Sequence, residues 1–223
     1  MRKEDRSIGN ALNRFAESSQ RNLYDFHPIE ADRQHTYDGH ELEYSYISDV
    51  LDSFLAEASQ RDITEVLDLA SGTGEVANAI ECRGFQTIRL DINNLAITRQ
   101  HSKNPFIKLI EASAWKLPLQ SGVIQAIHMK DALTHIADRN LFFSEVQRIL
   151  IRKGIFIAVS AVHMIPQPPI YFVSHPKSTV NFAKNHGFRL LNEWSWTPQH
   201  PSKDWYHGNP DGTERFVLLF EKK

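Results

Sequence analysis

The stretch "LDLASGTGE", residues 67–75, decides how the whole chain is read. An apolar strand carries Asp68 near its tip and runs straight into a loop with glycines at 72 and 74. Glycine removes the Cβ and opens positive φ, so such a loop admits a close approach to the backbone. A helix starting near Glu75 points its free N–H groups and positive dipole end back toward that loop.

Strand and helix alternate on either side of it. Residues 1–40 are polar and irregular, with turn chemistry at His27-Pro28 and "YDGH". From Glu41 onward, Leu42, Tyr46, Val50, Leu51, Phe54, Leu55 and Ala58 recur at helical spacing. "EVLDLA" reads as a first strand, "EVANAIECRG" as a helix stopped by Gly84, and "QTIRLD" as a second strand. "NNLAITRQHSK" is a helix capped by Asn93 or Asn94. "FIKLIEA" and "VIQAIHM" are the third and fourth strands, "RNLFFSEVQRIL" a helix and "GIFIAVSAV" the fifth strand. "STVNFAKNHG" is a helix with Ser178 as cap and Gly187 as stop. "FRLLNEWSW" and "ERFVLLFEK" then come with no helix between them, which predicts an antiparallel hairpin joined by a long connection, 197–213.

Continuous apolar strands separated by helices imply a parallel sheet covered on both faces. With right-handed crossovers this is a doubly wound α/β fold. The expectation is one Rossmann-like domain over 1–223 with a mostly parallel, seven-stranded sheet. Residues 1–60 form an N-terminal helical cap region, and 61–223 the core with its 197–213 insertion.

Bulk properties narrow the function. The 223 residues are 41% hydrophobic, with 25 basic and 27 acidic residues and a net charge of -2. That balance offers no strong field to draw the chain onto nucleic acid or an anionic membrane. The single cysteine, Cys82, allows no internal disulfide and reads as a small buried thiol. The charged start "MRKEDRSIGN" lacks a signal-peptide apolar region, and no apolar run spans a bilayer, so a cytoplasmic protein is expected.

Three ligands use a glycine loop of this kind. A P-loop requires a lysine after the glycines, and none is present. The dinucleotide pattern is formally matched by Gly72, Gly74 and Ala77, with Asp91 near the usual spacing of about 20 residues. Asp68, however, faces the place of a pyrophosphate and would repel it, whereas a ligand bearing an ammonium group suits a carboxylate there. A nicotinamide enzyme is therefore the lesser alternative.

"VLDLASGTG" resembles the first motif of class I S-adenosylmethionine-dependent methyltransferases, a strand followed by D-L-G-x-G-x-G. The similarity runs in order over residues 60–160 and more loosely to the C-terminus. It implies a donor site for S-adenosyl-L-methionine, left as S-adenosyl-L-homocysteine after reaction, at Asp68, Ala70, Ser71, Gly72 and Gly74. Asp91 and Ile92 resemble the tip that receives the ribose hydroxyls. Ser113, Ala114 and Trp115 resemble the segment lining the adenine, with Trp115 read equally as a stacking ring or a core plug. The backbone carbonyl of Lys130 resembles the group near the donor's amino-acid end. Ala70 replaces the family's first glycine, Ser113 a common aspartate, Gln125 the aspartate that often opens strand four, and "RKG" the Pro-Gly-Gly turn before strand five. These departures mark a divergent member.

Methyl transfer from a sulfonium requires alignment and exclusion of water, and a base only where the acceptor must lose a proton. His135, just past strand four, is the base candidate, Asp131 the second, and His163 also faces that edge. Asp131 is equally read as an ion-pair or cap residue. The eleven histidines form no metal-binding spacing, and no metal is expected. "PQPPIYF", 166–172, imitates an amino-methylating signature at the wrong strand and reads as a stiff loop. Aromatics and histidines in and beside 1–45 and 197–213, among them Tyr37, Tyr44, Tyr46, Trp205, Tyr206 and His207, suit either a lid over a small-molecule acceptor or a flap against the core. No nucleic-acid or membrane partner is expected, and the protein is read as a monomer or homodimer. The alternative function is a catalytically weak donor-binding module working through a protein partner.

Overall fold

The computed structural model describes residues 44–136, 138–161, 175–198 and 214–223. Expectations for residues 1–43, for His163 and "PQPPIYF", and for 199–213 lie outside the described residues.

The described chain enters as one helix, α1 (residues 44–59), made of an α-turn at Tyr44–Tyr46, a π-turn at Ile47–Leu51 and an α-segment at Asp52–Ser59. Apolar spacing foretold this helix but not its π-turn. Next come β1 (Glu65–Leu69), α2 (Glu75–Glu81), β2 (Gln86–Asp91), α3 (Asn94–Lys103), β3 (Lys108–Glu111) and β4 (Ile124–Lys130). A 3-10 turn at Leu133–His135 leads to α4 (Arg139–Ile149), β5 (Leu150–Ala161), α5 (Pro176–Asn185), β6 (Phe188–Trp196) and β7 (Arg215–Lys222).

The seven strands form one sheet in the order β3-β2-β1-β4-β5-β7-β6. β3, β2, β1, β4 and β5 are parallel neighbours, while β7 runs antiparallel between β5 and β6. Chain order therefore reverses between β1 and β4. The carboxyl ends of those strands flank the crevice where an open α/β sheet binds its ligands.

Side chains alternate across the sheet and give each face its own core. On one face, Val66, Ala126, Ile155, Ile157, Val217 and Leu219 pack against Tyr46, Val50, Leu51, Phe54 and Ala58 of α1. On the other, Leu67, Leu69, Ile127, Met129, Phe156 and Leu218 pack against Phe142, Phe143, Val146 and Ile149 of α4 and Val180 and Ala183 of α5. Strands buried on both faces are mostly apolar along their length, which is why they appear in the sequence as apolar runs with few polar residues.

Helix ends obey local chemistry. Asn93 Oδ1 accepts from the Ala96 N–H at 3.4 Å and caps α3. Asp138 Oδ1 accepts from Leu141 N–H at 3.0 Å and caps α4. α5 starts earlier than its Ser178 suggested: His175 Nδ1 accepts from Lys177 N–H at 3.2 Å, and Pro176 occupies the first turn. Proline's fixed φ suits that position, which moves the start upstream. Cys82 is exposed rather than buried, because it forms the C-cap of α2 and turns outward.

Candidate active site

The loop after β1 is held in the left-handed region at three positions: Ala70 (φ 62), Gly72 (φ 52) and Gly74 (φ 86). Its amides are gathered inward. Ser71 N–H donates to Leu90 O at 3.0 Å and Gly74 N–H to Ser71 O at 2.9 Å. Gly72 N–H donates to Asp91 Oδ2 at 2.8 Å, and Asn93 N–H to Asp91 Oδ1 at 2.8 Å. Asp91 thus ties the glycine loop to the tip of β2. Its carboxyl is pushed above the usual range by burial and by the Asp68 charge, against the pull of the Asn93 and Gly72 amides. The Ile92 amide pulls on it as well, and since a carboxylate offers about four acceptor sites, capacity for a hydroxyl donor is left.

The segment after β3 is docked beside this tip. Ala112 N–H donates to Asp91 O at 2.9 Å. α4 clamps residues 117–119: Leu117 N–H donates to Glu145 Oε2 at 2.8 Å, while Arg148 donates to Leu117 O at 3.0 Å and Leu119 O at 2.7 Å. The Ser113 Oγ so placed is buried without a hydrogen-bond partner among the described residues. A buried hydroxyl in that state is costly unless a ligand completes it. Trp115 lies in the hydrophobic core with Leu117, 8% exposed.

Asp68 does not lie where its sequence position suggested. It points to the α1 face of the sheet, 2% exposed, beside its register partner His128 on β4. Asp68 Oδ1 lies 3.0 Å from His128 Nδ1, and His128 Nε2 lies 2.6 Å from the Tyr46 hydroxyl. Burial, with Asp68 and Asp131 nearby, holds the Tyr46 phenol well above its ordinary value. It therefore keeps its proton, and the His128 imidazole links this hydroxyl to the Asp68 carboxylate. Asp68 Oδ2 has no partner among the described residues. His128 escaped the sequence reading because it sits inside the apolar run "VIQAIHM". The available signal was a polar residue mid-strand with the same parity as Asp68 on the neighbouring strand.

Comparison with known proteins bears on this geometry. The family model "Methyltransferase domain" matches residues 67–158, from the start of the glycine-loop motif to near the end of β5. Over residues 67–158, then, the chain is similar to S-adenosylmethionine-dependent methyltransferases. A curated relative in two strains of Mycobacterium tuberculosis, named "Probable S-adenosylmethionine-dependent methyltransferase", is 26% identical over 93 residues. Those residues are 42% of this chain and 34% of the relative, so the chain matches about a third of that protein's length. Among solved structures, a Pyrococcus horikoshii OT3 protein superimposes with a TM-score of 0.65 at 18% identity, over 87% of this chain and 99% of that one. A SAM-dependent methyltransferase from Methanosarcina mazei gives 0.58 at 17%, over 71% and 92%. The cyclase SpnF gives 0.67 at 14%, over 90% and 94%. Identities this low speak for the shared fold, and the cyclase among them shows that one fold carries several chemistries.

Across the crevice, the tip of β4 is charged. Lys130 Nζ donates to Asp131 Oδ2 at 2.6 Å, and Arg215 Nε, at the start of β7, to Asp131 Oδ1 at 2.5 Å. Burial alone would raise the Asp131 carboxyl, but Arg215 and Lys130 hold it well below the usual carboxylate range. Asp131 adopts φ 53, a left-handed conformation that a non-glycine residue enters at a cost of about 1–2 kcal/mol. The Lys130 ammonium also lies over the rings of Tyr46 at 5.4 Å and Trp196 at 5.9 Å. Trp196 Nε1 donates to Ser45 Oγ at 3.3 Å. Tyr46, one of the candidate lid aromatics, is thus a core residue, while Tyr44 is 82% exposed.

His135 is partly exposed in the 3-10 turn past β4, its N–H bonded to Ala132 O at 3.0 Å. The structure brings Ala70, Ser71, Gly72, Gly74, Asp91 and Ile92 to one edge, with Ser113 and Ala114 beside it and Lys130, Asp131 and His135 opposite. Among the described residues there is no cluster able to hold a metal and no helix long and apolar enough to cross a membrane.

Proposed function

We propose that the chain is an S-adenosylmethionine-dependent methyltransferase acting on a small-molecule acceptor. The observation that carries this reading is Asp91: it grips the Gly72 amide and keeps acceptor capacity at the switch point of the sheet. The donor would lie across Ala70–Gly74 and Asp91–Ile92, with Ser113 and Ala114 along its base. The unpartnered Ser113 hydroxyl supports this fit. Burial of Trp115 favours its role as a core plug over a stacking ring. Asp68 contributes negative charge beneath the loop rather than a direct contact. The Lys130 ammonium is engaged by Asp131 and two rings, which leaves its backbone carbonyl for the donor's amino-acid end.

When bound, the sulfonium supplies an already activated methyl group for in-line displacement by the acceptor. The chain's own task is to align the two and exclude water. His135, on the opposite side of the crevice, serves as the base where the acceptor carries a proton to lose. Asp131 is unsuited to that task, because two cations keep it ionised and paired. The described cap, α1, closes the sheet from the Tyr46 side.

Calorimetric titration with S-adenosylhomocysteine tests the donor assignment, and saturable one-to-one binding is the expected result. A panel of small-molecule acceptors then tests turnover. His135→Ala should lower turnover and remove a basic limb from its pH profile, and an unaltered profile would rule His135 out as the base. Donor binding with only slow background hydrolysis in every assay would point instead to a binding module acting through a protein partner.

A further inference from the structure

Gln100, on α3, is the residue against which the glycine loop is braced. It is 2% exposed, and its two amide atoms are committed in different directions. Oε1 accepts from Arg89 Nη1 at 3.1 Å, so Nε2 is left to donate, to Gly72 O at 2.6 Å and Ser71 Oγ at 3.1 Å. Arg89, 3% exposed, is itself held by Asn78 Oδ1 at 2.8 Å and Glu81 Oε1 at 2.9 Å. Gly74 completes the arrangement. A Cβ there would lie 2.6 Å from both Arg89 Nη1 and Gln100 Oε1.

The guanidinium fixes the orientation of the Gln100 amide, and the amide fixes the Gly72 carbonyl. In a planar trans peptide the C=O and N–H point in opposite directions. The Thr73 N–H is therefore turned away from Gln100. Ser71, Gly72 and Gly74 have their amides paired within the protein, whereas that of Thr73 has no protein partner among the described residues.

We propose that Gln100, backed by Arg89, is a positioning residue for the methyl donor. It presets the Gly72–Thr73 peptide so that the Thr73 N–H is offered to the donor's amino-acid carboxylate, the only anionic group that molecule carries. This rests on the methyltransferase reading and deepens it.

Gln100→Glu keeps the volume and the Arg89 partner but replaces the donating amide with an oxygen that repels the Gly72 carbonyl. Wild type and variant are titrated calorimetrically with two probes, S-adenosylhomocysteine and 5′-methylthioadenosine, which shares the nucleoside and lacks the amino-acid group. The first should bind about tenfold more weakly to the variant, the loss of roughly one charge-assisted hydrogen bond. The second should change by less than about twofold, with circular dichroism showing the ligand-free variant folded. Gln100→Met, which removes the donor without adding charge, should show the same split. Equal weakening of both probes, or undiminished S-adenosylhomocysteine affinity, would reduce Gln100 to packing and overturn the proposal. A folded wild type that binds neither probe would overturn the methyltransferase reading itself, and this inference with it.

Discussion

The proposed donor side of the crevice and the opposite side are assembled over different distances along the chain. At the tips of β1 and β2, Gly72 meets Asp91 19 positions away, and Gln100 meets Gly72 28 positions away. At the tips of β4, β6 and β7, Tyr46 meets His128 across 82 positions, Asp131 meets Arg215 across 84, and Ser45 meets Trp196 across 151. The first set forms within two consecutive strand–helix units, so its geometry is nearly local. The second joins distant elements, and its Asp131–Arg215 and Ser45–Trp196 contacts exist only once β7 and β6 have joined the sheet. The proposed donor site thus depends on few, neighbouring parts of the chain, while the far side depends on many distant ones.

If the two sides are separable in this way, substitutions should divide into those that affect donor binding and those that affect stability. Asp91→Ala should have the largest effect on binding. It strips Gly72 and Asn93 of their acceptor and should weaken S-adenosylhomocysteine by about a hundredfold in calorimetry, two charge-assisted hydrogen bonds at roughly tenfold each. Unchanged affinity would detach the donor from this edge altogether.

Arg215→Met should act on stability, costing about 3 kcal/mol in chemical denaturation, as expected for removing one partner of a largely buried pair. The pH dependence sharpens this. Because the folded Asp131 carboxyl titrates below its unfolded value, its contribution is present above that value, about pH 4, and is lost as pH falls below it. The stability gap between wild type and Asp131→Asn should therefore be open at pH 7 and close on acidification. A gap that persists unchanged at pH 2 would show that charge is not its source.

Tyr46→Phe should come next, at about 2 kcal/mol, because it leaves His128 Nε2 buried without its partner. Donor affinity should stay within about twofold. A large loss of affinity would instead mean that the relay to Asp68 reaches the donor, and the two sides are not separable. Ala70→Gly is the smallest change and has the opposite sign. It relieves a methyl-bearing residue held at φ 62 and should stabilise by about 0.5–1 kcal/mol, after allowance for glycine's greater freedom when unfolded. Failure to stabilise would indicate that neighbouring contacts offset the strain.

Legibility divides along the same line. Doubly covered strands announce themselves as apolar runs, and the glycine loop with Asp91 can be recognised because both lie at the ends of neighbouring strands in consecutive units. Arg89 and Gln100 could not be read in the same way. Polar residues on a strand and a helix ordinarily face water, and only the meeting of α2 and α3 over β2 buries these two. Tyr46 and His128 lie on a helix and a strand 82 positions apart, which no local pattern pairs. Gln125 is an intermediate case. It stands where the family often has aspartate, and its Oε1 accepts from Thr64 N–H at 3.0 Å and Glu65 N–H at 3.2 Å at the start of β1. The neutral amide oxygen supplies the acceptor geometry at that position.

The π-turn at Ile47–Leu51 has a consequence for how length variation would be tolerated upstream of the sheet. Each residue added to or removed from an α-helix rotates everything beyond it by about 100°. Shortening this turn by one residue would leave Phe54, Leu55 and Ala58 seated on the sheet while swinging Tyr46 off the imidazole of His128. The wide turn acts as a phase adjuster, keeping the phenol in register with a partner 82 positions downstream.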